Sequence, residues 1–208
     1  MKTLNNYIES LIERYVDFDP AHNIDHARAV IRNSEYIAES MMEDEEIILD
    51  MDMVRIIATM HDLGLVYGRE IHHIKSGEIV RQERELRKYF NEEQIEIIAK
   101  AVEEHRASYK GEYTSIYSQI VSDADRMNTA EEYIERTYKW RRLHYPELNE
   151  IELYEEVKSH LRHKYGEKGY ARFNTIYAEE SINKIKETII HDETFDKIYD
   201  DMYGLPWK

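Results

Sequence analysis

The stretch Val54-Arg-Ile-Ile-Ala-Thr-Met-His-Asp-Leu-Gly64 has the apolar spacing of a buried helix and ends on a histidine–aspartate pair. Val54, Ile57 and His61 follow one another at intervals of three and four residues, so they lie on one helix face. An ionised carboxylate that faces an apolar core is costly unless it is paired or bound to a metal. The pair His61-Asp62 therefore indicates a buried polar site at the end of this helix.

Two other segments carry similar residue types at inward positions. His26 shares a helix face with Val30, and Asp125 follows Val121 at a four-residue step. A lone histidine on an apolar face is more often a hydrogen-bonded core residue, and Asp125 alone also fits a salt bridge with Arg126. In the order His…His-Asp…Asp, the set offers two imidazoles and two carboxylates, which suit a divalent metal that activates water.

The rest of the chain predicts an all-α fold, a compact multi-helix bundle. The sequence has 208 residues with only seven glycines and three prolines, and no segment shows convincing strand alternation between turn signals. The periodicity predicts helices over about 4–15, 25–42, 50–61, 73–89, 92–106, 115–127, 129–141, 150–163 and 170–190, with a short helix within 195–207. Asn91 followed by Gln94 resembles a helix-start box, and residues 65–72 are expected to form a loop.

The amino-acid composition and net charge exclude several classes of site and partner. The sequence contains no cysteine, which excludes disulfides, zinc–thiolate sites and iron–sulfur clusters. A formal charge of −15 argues against nucleic acid as the main partner but leaves room for a small phosphorylated ligand beside a metal. We expect no membrane span and a cytoplasmic location, because neither a long apolar run nor an apolar signal segment is present. The 17 tyrosines are compatible with a homodimer.

The chain contains further histidines besides His26 and His61. His105 extends the apolar stripe that includes Val102, and it is open to three roles: a second metal ligand, a phosphate donor or a core histidine. His73 begins a predicted helix and is followed by Lys75, so the free backbone N–H groups there indicate an anion site, with a plain surface loop as the alternative. The histidines in polar segments are expected at the surface: His144, His160, His163 and His191.

These motifs together resemble the HD-domain metal-dependent phosphohydrolases, in particular their small stand-alone bacterial and archaeal members. The resemblance rests on His22-Asn-Ile-Asp-His26, on His61-Asp-Leu-Gly64 and on the second aspartate of Asp123-Ala-Asp125. Between them, His73-x-x-x-Gly77 and Val102-Glu-Glu-His105 resemble the auxiliary histidines of many members.

The resemblance spans about residues 20–130 and implies a compact helical core around a metal. Residues 131–208 would then be a helical extension within a single domain, 1–208. The metal ligands that the resemblance implies are His26, His61, Asp62 and Asp125, with Asp123 less suited. Substrate identity does not carry over, because Leu63-Gly-Leu-Val66 replaces the acidic residues that follow the pair in the guanosine-tetraphosphate hydrolases and the nucleoside monophosphatases.

The mechanism that we expect is attack on phosphorus by a metal-activated water. The mixed ligands suit Mn²⁺, Fe²⁺, Co²⁺, Ni²⁺ or Zn²⁺ better than Mg²⁺. Asp62 acts at the metal, and the candidates for general acid are Glu70 and His73. The candidates for phosphate contact are Arg28, His73, Lys75 and His105. The expected substrate is a small phosphorylated molecule, with a nucleotide as the best match. The alternatives are a metal or nucleotide sensor without turnover, a phosphodiesterase and a structural domain with a degenerate site.

Overall fold

A computed structural model describes residues 3–207, which form ten α-helices and no strand. The helices are Leu4–Ile12 (α1), Ile24–Asp44 (α2), Met51–Met60 (α3), His72–Gln82 (α4), Glu92–Glu104 (α5), Ile116–Ala124 (α6), Ala130–His144 (α7), Glu150–Tyr165 (α8), Ile176–Ile190 (α9) and Asp192–Tyr203 (α10). The all-α prediction is confirmed. Across the described residues, none of these helices has the length and apolarity needed to cross a bilayer.

The chain divides into two compact units. The first comprises the chain up to Phe18, His22–Met127 and Asn174–Ala178; the second comprises Asp19–Ala21, Asn128–Phe173 and the chain from Glu179 onward. The boundary at Met127 lies close to the end of the core that the sequence resemblance implies, at about residue 130. The description of the whole chain as a single domain stays a prediction.

The core of the first unit forms where α1 to α6 turn their apolar faces towards one another. Ile37 of α2, Ile56 of α3 and Ile98 of α5 are completely buried. Burying each such side chain contributes about 1.5–3 kcal/mol to the stability of the fold. The helices therefore pack with their apolar faces towards the core. The second unit has a separate core, rich in tyrosine, in which Tyr154 and Tyr199 pack edge to face.

Side-chain caps fix where the helices of the first unit begin. The Asn23 side chain accepts a hydrogen bond of 3.1 Å from the backbone N–H of His26, which places His26 in the first turn of α2. Asp50 caps α3 in the same way. The predicted Asn91–Gln94 box is confirmed at the start of α5, with both reciprocal hydrogen bonds present.

The predicted helix over about 73–89 begins close to the predicted start, but its predicted end is wrong. α4 begins one residue earlier, and it stops at Gln82 because Glu83 takes an extended conformation. Arg87 donates to the backbone carbonyls of Arg81 and Glu83 at 3.1 Å, which satisfies oxygens that a helix end leaves free. The predicted loop over 65–72 is partly wrong as well, because Leu63–Tyr67 forms a 3-10 turn.

The predicted start of α9 near residue 170 is also wrong, because a distant carboxylate determines where this helix begins. Asp123 accepts hydrogen bonds from the backbone N–H groups of Asn174 and Thr175 and from both of their side chains, at 2.7–3.0 Å. Arg126 donates to the same carboxylate at 2.8 Å. α9 therefore starts at Ile176, and Asp123 serves as its N-terminal anchor from 51 residues away.

We predict that Asp123→Asn lowers the free energy of unfolding by about 3 kcal/mol, because it removes the charge that pairs with the buried Arg126 and replaces one of the two accepting oxygens with an NH2 group that faces other donors. Urea unfolding followed by circular dichroism measures this change. Asp17→Asn, at an exposed position, is the matched control and is expected to change stability by less than about 0.5 kcal/mol. Equal stabilities of the two variants would contradict the anchoring role.

Candidate metal centre

Four imidazoles converge on Asp62 because each lies at the end of a helix. His26 is in the first turn of α2, His61 directly follows α3, His72 is the first residue of α4 and His105 directly follows α5. All five side chains belong to buried residues; His61 is 0 % exposed and Asp62 is 3 % exposed. The site is therefore a closed polar cluster inside the first unit.

The Asp62 carboxylate is shared between two groups of imidazoles. Its Oδ2 lies 3.2 Å from Nε2 of His61 and 3.7 Å from Nε2 of His26. Its Oδ1 lies 3.2 Å from Nε2 of His72 and 3.5 Å from Nε2 of His105. The ligand atoms of each group lie within 4.8 Å of one another, so each group could hold a metal ion.

Backbone carbonyls orient three of the rings towards Asp62. In each case Nδ1 bonds to the carbonyl oxygen three residues earlier: His61 to Ala58 at 2.8 Å, His72 to Arg69 at 2.6 Å and His105 to Val102 at 2.6 Å. A carbonyl oxygen can only accept, so Nδ1 carries a proton in each ring and Nε2 faces the centre. This is the usual arrangement behind a histidine that ligates a metal.

The distances between ring nitrogens fit a cation between them. Nε2 of His26 lies 3.3 Å from Nε2 of His61, and Nε2 of His72 lies 3.4 Å from Nε2 of His105. Two lone pairs that face each other repel unless a proton or a cation lies between them. Two nitrogens bound to one tetrahedral ion at about 2.0–2.1 Å are roughly 3.3 Å apart. The donor set and its spacing therefore fit divalent metal binding.

Asp125 extends the first group. Its Oδ1 lies 3.2 Å from Nε2 of His26, and its side chain is 22 % exposed against 4 % for that of Asp62. Burial by itself raises the pKa of Asp125, but the hydrogen bond and charge of His26 bring that pKa well below its usual range. The carboxylate is thus ionised at neutral pH, as a metal ligand must be.

Tyr15 supports the central carboxylate from behind. Its hydroxyl donates to the Thr59 carbonyl at 2.8 Å and accepts from the backbone N–H of Asp62 at 3.3 Å. Burial and the charge of Asp62 raise the pKa of Tyr15 well above its usual range, so the hydroxyl stays neutral. Burial also raises the pKa of Asp62, but the charge of His61 and hydrogen bonds from the imidazoles bring that pKa well below its usual range.

The predicted phosphate contacts on α4 lie beside the cluster. The His73 ring is edge-on to that of His72, and its buried Nδ1 has no hydrogen-bond partner among the described residues. Burial, together with the charge of Arg106, lowers the pKa of His73 to about 4, so the ring is neutral near pH 7. Lys75 pairs with Glu78 at 2.7 Å.

Glu70, a predicted general acid, and Arg28, a predicted phosphate contact, are both exposed. The backbone carbonyl of Glu70 accepts a hydrogen bond of 3.0 Å from Arg106. Arg28 forms a bidentate pair with Glu9 of α1, at 2.6 and 3.2 Å. Arg28 follows His26 by two residues, which is a rotation of about 200° around the axis of α2. Arg28 therefore lies on a different face of this helix from His26. The structure does not bring Arg28 into the imidazole cluster.

His72 is the residue that the sequence reasoning left out of the candidate site. The sequence does contain a pattern that places His72 on the inner face of its helix: His72, Ser76 and Val80 follow one another at four-residue steps. All three residues are buried in the structure. The backbone N–H of Gly64 donates to the Ser76 hydroxyl at 2.7 Å, and a Cβ at Gly64 would lie 2.1 Å from the His72 carbonyl oxygen. This close approach sets α4 against the turn after Asp62, and thereby brings His72 to Asp62.

We predict that Gly64→Ala lowers the free energy of unfolding by about 1–3 kcal/mol, because the new methyl group collides with the backbone of α4. Thermal or urea unfolding measures the change. Gly111→Ala is the matched control, because the atoms nearest to the added methyl group there belong to the movable side chain of Tyr109. A Gly64→Ala protein as stable as the control would contradict this packing.

Comparison with known proteins places the site in context. Residues 23–130 match the sequence family described as HD domain. The fold resembles the crystal structure of a predicted HD superfamily hydrolase from an uncultured Thermotogales bacterium, with a TM-score of 0.56. That likeness covers 95 % of this chain and 92 % of the other, at 20 % sequence identity, and so concerns the fold alone. Comparison with curated proteins gives no significant match.

Proposed function

This chain belongs to the HD domain family, and we propose that it is a metal-dependent phosphohydrolase that acts on a small phosphorylated molecule, specifically a nucleotide. Family membership supports phosphohydrolase chemistry in general. The observation that carries the proposal is the buried Asp62 carboxylate, which has an imidazole pair on each of its oxygens. A carboxylate between two pairs of imidazoles is suited to two divalent ions.

The proposed ligands follow from the two groups. His26, His61 and Asp62, extended by Asp125, would hold one ion, and Asp62, His72 and His105 would hold the other. Imidazole and carboxylate donors suit Mn²⁺, Fe²⁺, Co²⁺, Ni²⁺ or Zn²⁺. When bound, such ions supply an activated water and neutralise charge on the phosphoryl oxygens.

The protein's own groups prepare the site for this chemistry. The carbonyls behind the imidazoles and the Tyr15 hydroxyl hold the ligands in place, which spares the site any reorganisation during reaction. His73, neutral near pH 7, suits a hydrogen bond to a phosphoryl oxygen better than proton donation. Glu70, the other candidate, is exposed two residues before His72, and we propose it, in its protonated form, as the proton donor to the leaving group.

An exposed apolar patch supports a nucleotide as the substrate class. Tyr67 ends the 3-10 turn that starts directly after Asp62, and it is 59 % exposed. Val66, Ile71 and Ile74 are also exposed in the segment between Asp62 and Lys75. The Lys75 ammonium lies 5.8 Å from the centre of the Tyr67 ring. An aromatic face accepts a nucleobase by stacking, and a neighbouring cation suits a phosphate.

We predict that wild-type protein reconstituted with Mn²⁺ and passed through a desalting column retains about two equivalents per chain, measured by plasma mass spectrometry. His105→Ala, which removes a ligand of only one group, is expected to retain about one, and Asp62→Ala to retain almost none. His144→Ala, at an exposed histidine of the second unit, is the matched control and should retain two. A wild type that binds no metal would contradict the site.

Turnover is tested by phosphate and pyrophosphate release from nucleoside mono-, di- and triphosphates with Mn²⁺, Co²⁺, Ni²⁺ and Mg²⁺. We expect turnover of at least one nucleotide, and a fall in kcat of about 10²–10³-fold or more in Asp62→Ala. Two bound ions with no turnover of any phosphorylated compound would contradict the hydrolase and favour a sensor that binds its ligand unchanged.

The nucleotide preference has its own test. We predict that Tyr67→Ala raises KM for a nucleotide by about 10-fold, because a lost stacking contact costs about 1–3 kcal/mol. KM for inorganic tripolyphosphate, which has no base, should stay unchanged in the same variant. Tyr67→Phe retains the ring and serves as the matched control. A parallel change in KM for both substrates would contradict base stacking on Tyr67.

A further inference from the structure

A separate cavity of about 310 Å³ lies between α1, α2 and α3 in the first unit. Its lining residues are Asn5, Ile8, Glu9, Ile12, Arg28, Ile31, Arg32 and Arg55. None of the imidazoles or carboxylates of the metal centre belongs to this set. Arg28 and Arg32 follow His26 by two and six residues, about 200° and 240° around α2, so the cavity lies on another flank of that helix. Its volume is at the lower end of the range for small-molecule sites.

Three arginines against one glutamate line this cavity, in a protein whose formal charge is −15. Glu9 engages two of the five N–H groups of Arg28, and Glu35 accepts from Nε of Arg55 at 2.6 Å. Each of these two guanidinium groups therefore keeps further donors. Asp52 lies 3.6 Å from Nη1 of Arg55 and adds a weaker contact.

Arg32 differs from the other two arginines of the cavity. Within residues 3–207 no carboxylate forms an ion pair with it, and its side chain is exposed at the rim. Its planar group with five donors is suited to the oxygens of a phosphate. Arg32 thus provides an uncompensated positive charge where Arg28 and Arg55 provide charge that is already partly paired.

The remaining lining is apolar. Ile8 and Ile12 of α1 are buried to 7 % and 2 % exposure, and Ile31 of α2 is half-buried between the two arginines of its helix. Asn5 adds an amide that can donate and accept. A bare inorganic anion would leave this apolar surface unused, whereas a molecule with a phosphate and a flat apolar body would contact both parts.

We propose that the cavity between α1, α2 and α3 is a second ligand site, apart from the metal centre, and that it takes a small phosphorylated molecule with a flat apolar body, of the nucleoside monophosphate class. The phosphate contacts Arg32 and the free donors of Arg28 and Arg55. The body of the ligand lies on Ile8, Ile12 and Ile31. This site needs no metal and does not depend on the hydrolase activity proposed above.

The test is isothermal titration of the full-length protein with AMP, with inorganic phosphate as a second probe. It is run on wild type dialysed against EDTA and on Asp62→Ala, so that the metal centre cannot account for the binding. We expect one AMP per chain in both. Arg32→Glu should weaken AMP binding by about 10-fold or more, the effect of losing a charged hydrogen bond, and phosphate alone should bind more weakly than AMP.

Arg84→Glu is the matched control, because Arg84 is likewise exposed and has no ion pair among the described residues of the same unit. It changes the net charge of the protein by the same amount as Arg32→Glu and should leave AMP binding unchanged. Equal thermal melting of the two variants shows that the fold is intact. The proposal is overturned if AMP does not bind at millimolar concentration, if both variants bind AMP equally, or if chelation abolishes AMP binding.

Discussion

The burial of one carboxylate is the constraint on which this structure depends. Asp62 is ionised and almost completely shielded from water, an arrangement that is expensive unless partners compensate the charge. The compensation comes from imidazoles on two sides, and backbone carbonyls hold three of these imidazoles in place. The same arrangement that makes the carboxylate tolerable in the core gives it the position of a ligand that the two proposed metal sites would share.

Every imidazole of this cluster lies at or next to the end of a helix. A side chain in the middle of a helix is surrounded by its own neighbours, whereas a first or last residue can approach several other elements. Asn23 sets the first turn of α2 that carries His26, and Gly64 allows α4 to approach closely enough for His72. Caps and close backbone contacts in this fold therefore contribute directly to the geometry of the site, and not only to stability.

Local patterns were sufficient for much of the fold and for every member of the cluster except His72. The apolar periodicity and the Asn91–Gln94 box predict α5 well, and the chemistry of a buried His61-Asp62 pair predicts a metal centre. Two features depend on contacts that a local pattern does not contain. The start of α9 is determined by Asp123, and the inward position of His72 requires the helix to begin one residue before the predicted start. The role of Arg28 depends on which side of α2 it occupies.

The most direct measurement is anomalous diffraction from crystals of the Mn²⁺-loaded protein. We expect two peaks about 3.5–4 Å apart, the usual separation of paired ions, with one oxygen of Asp62 directed at each. His26 and His61 should ligate the first ion, and His72 and His105 the second. A single peak, or two peaks of which only one contacts Asp62, would contradict the bridging role of this carboxylate.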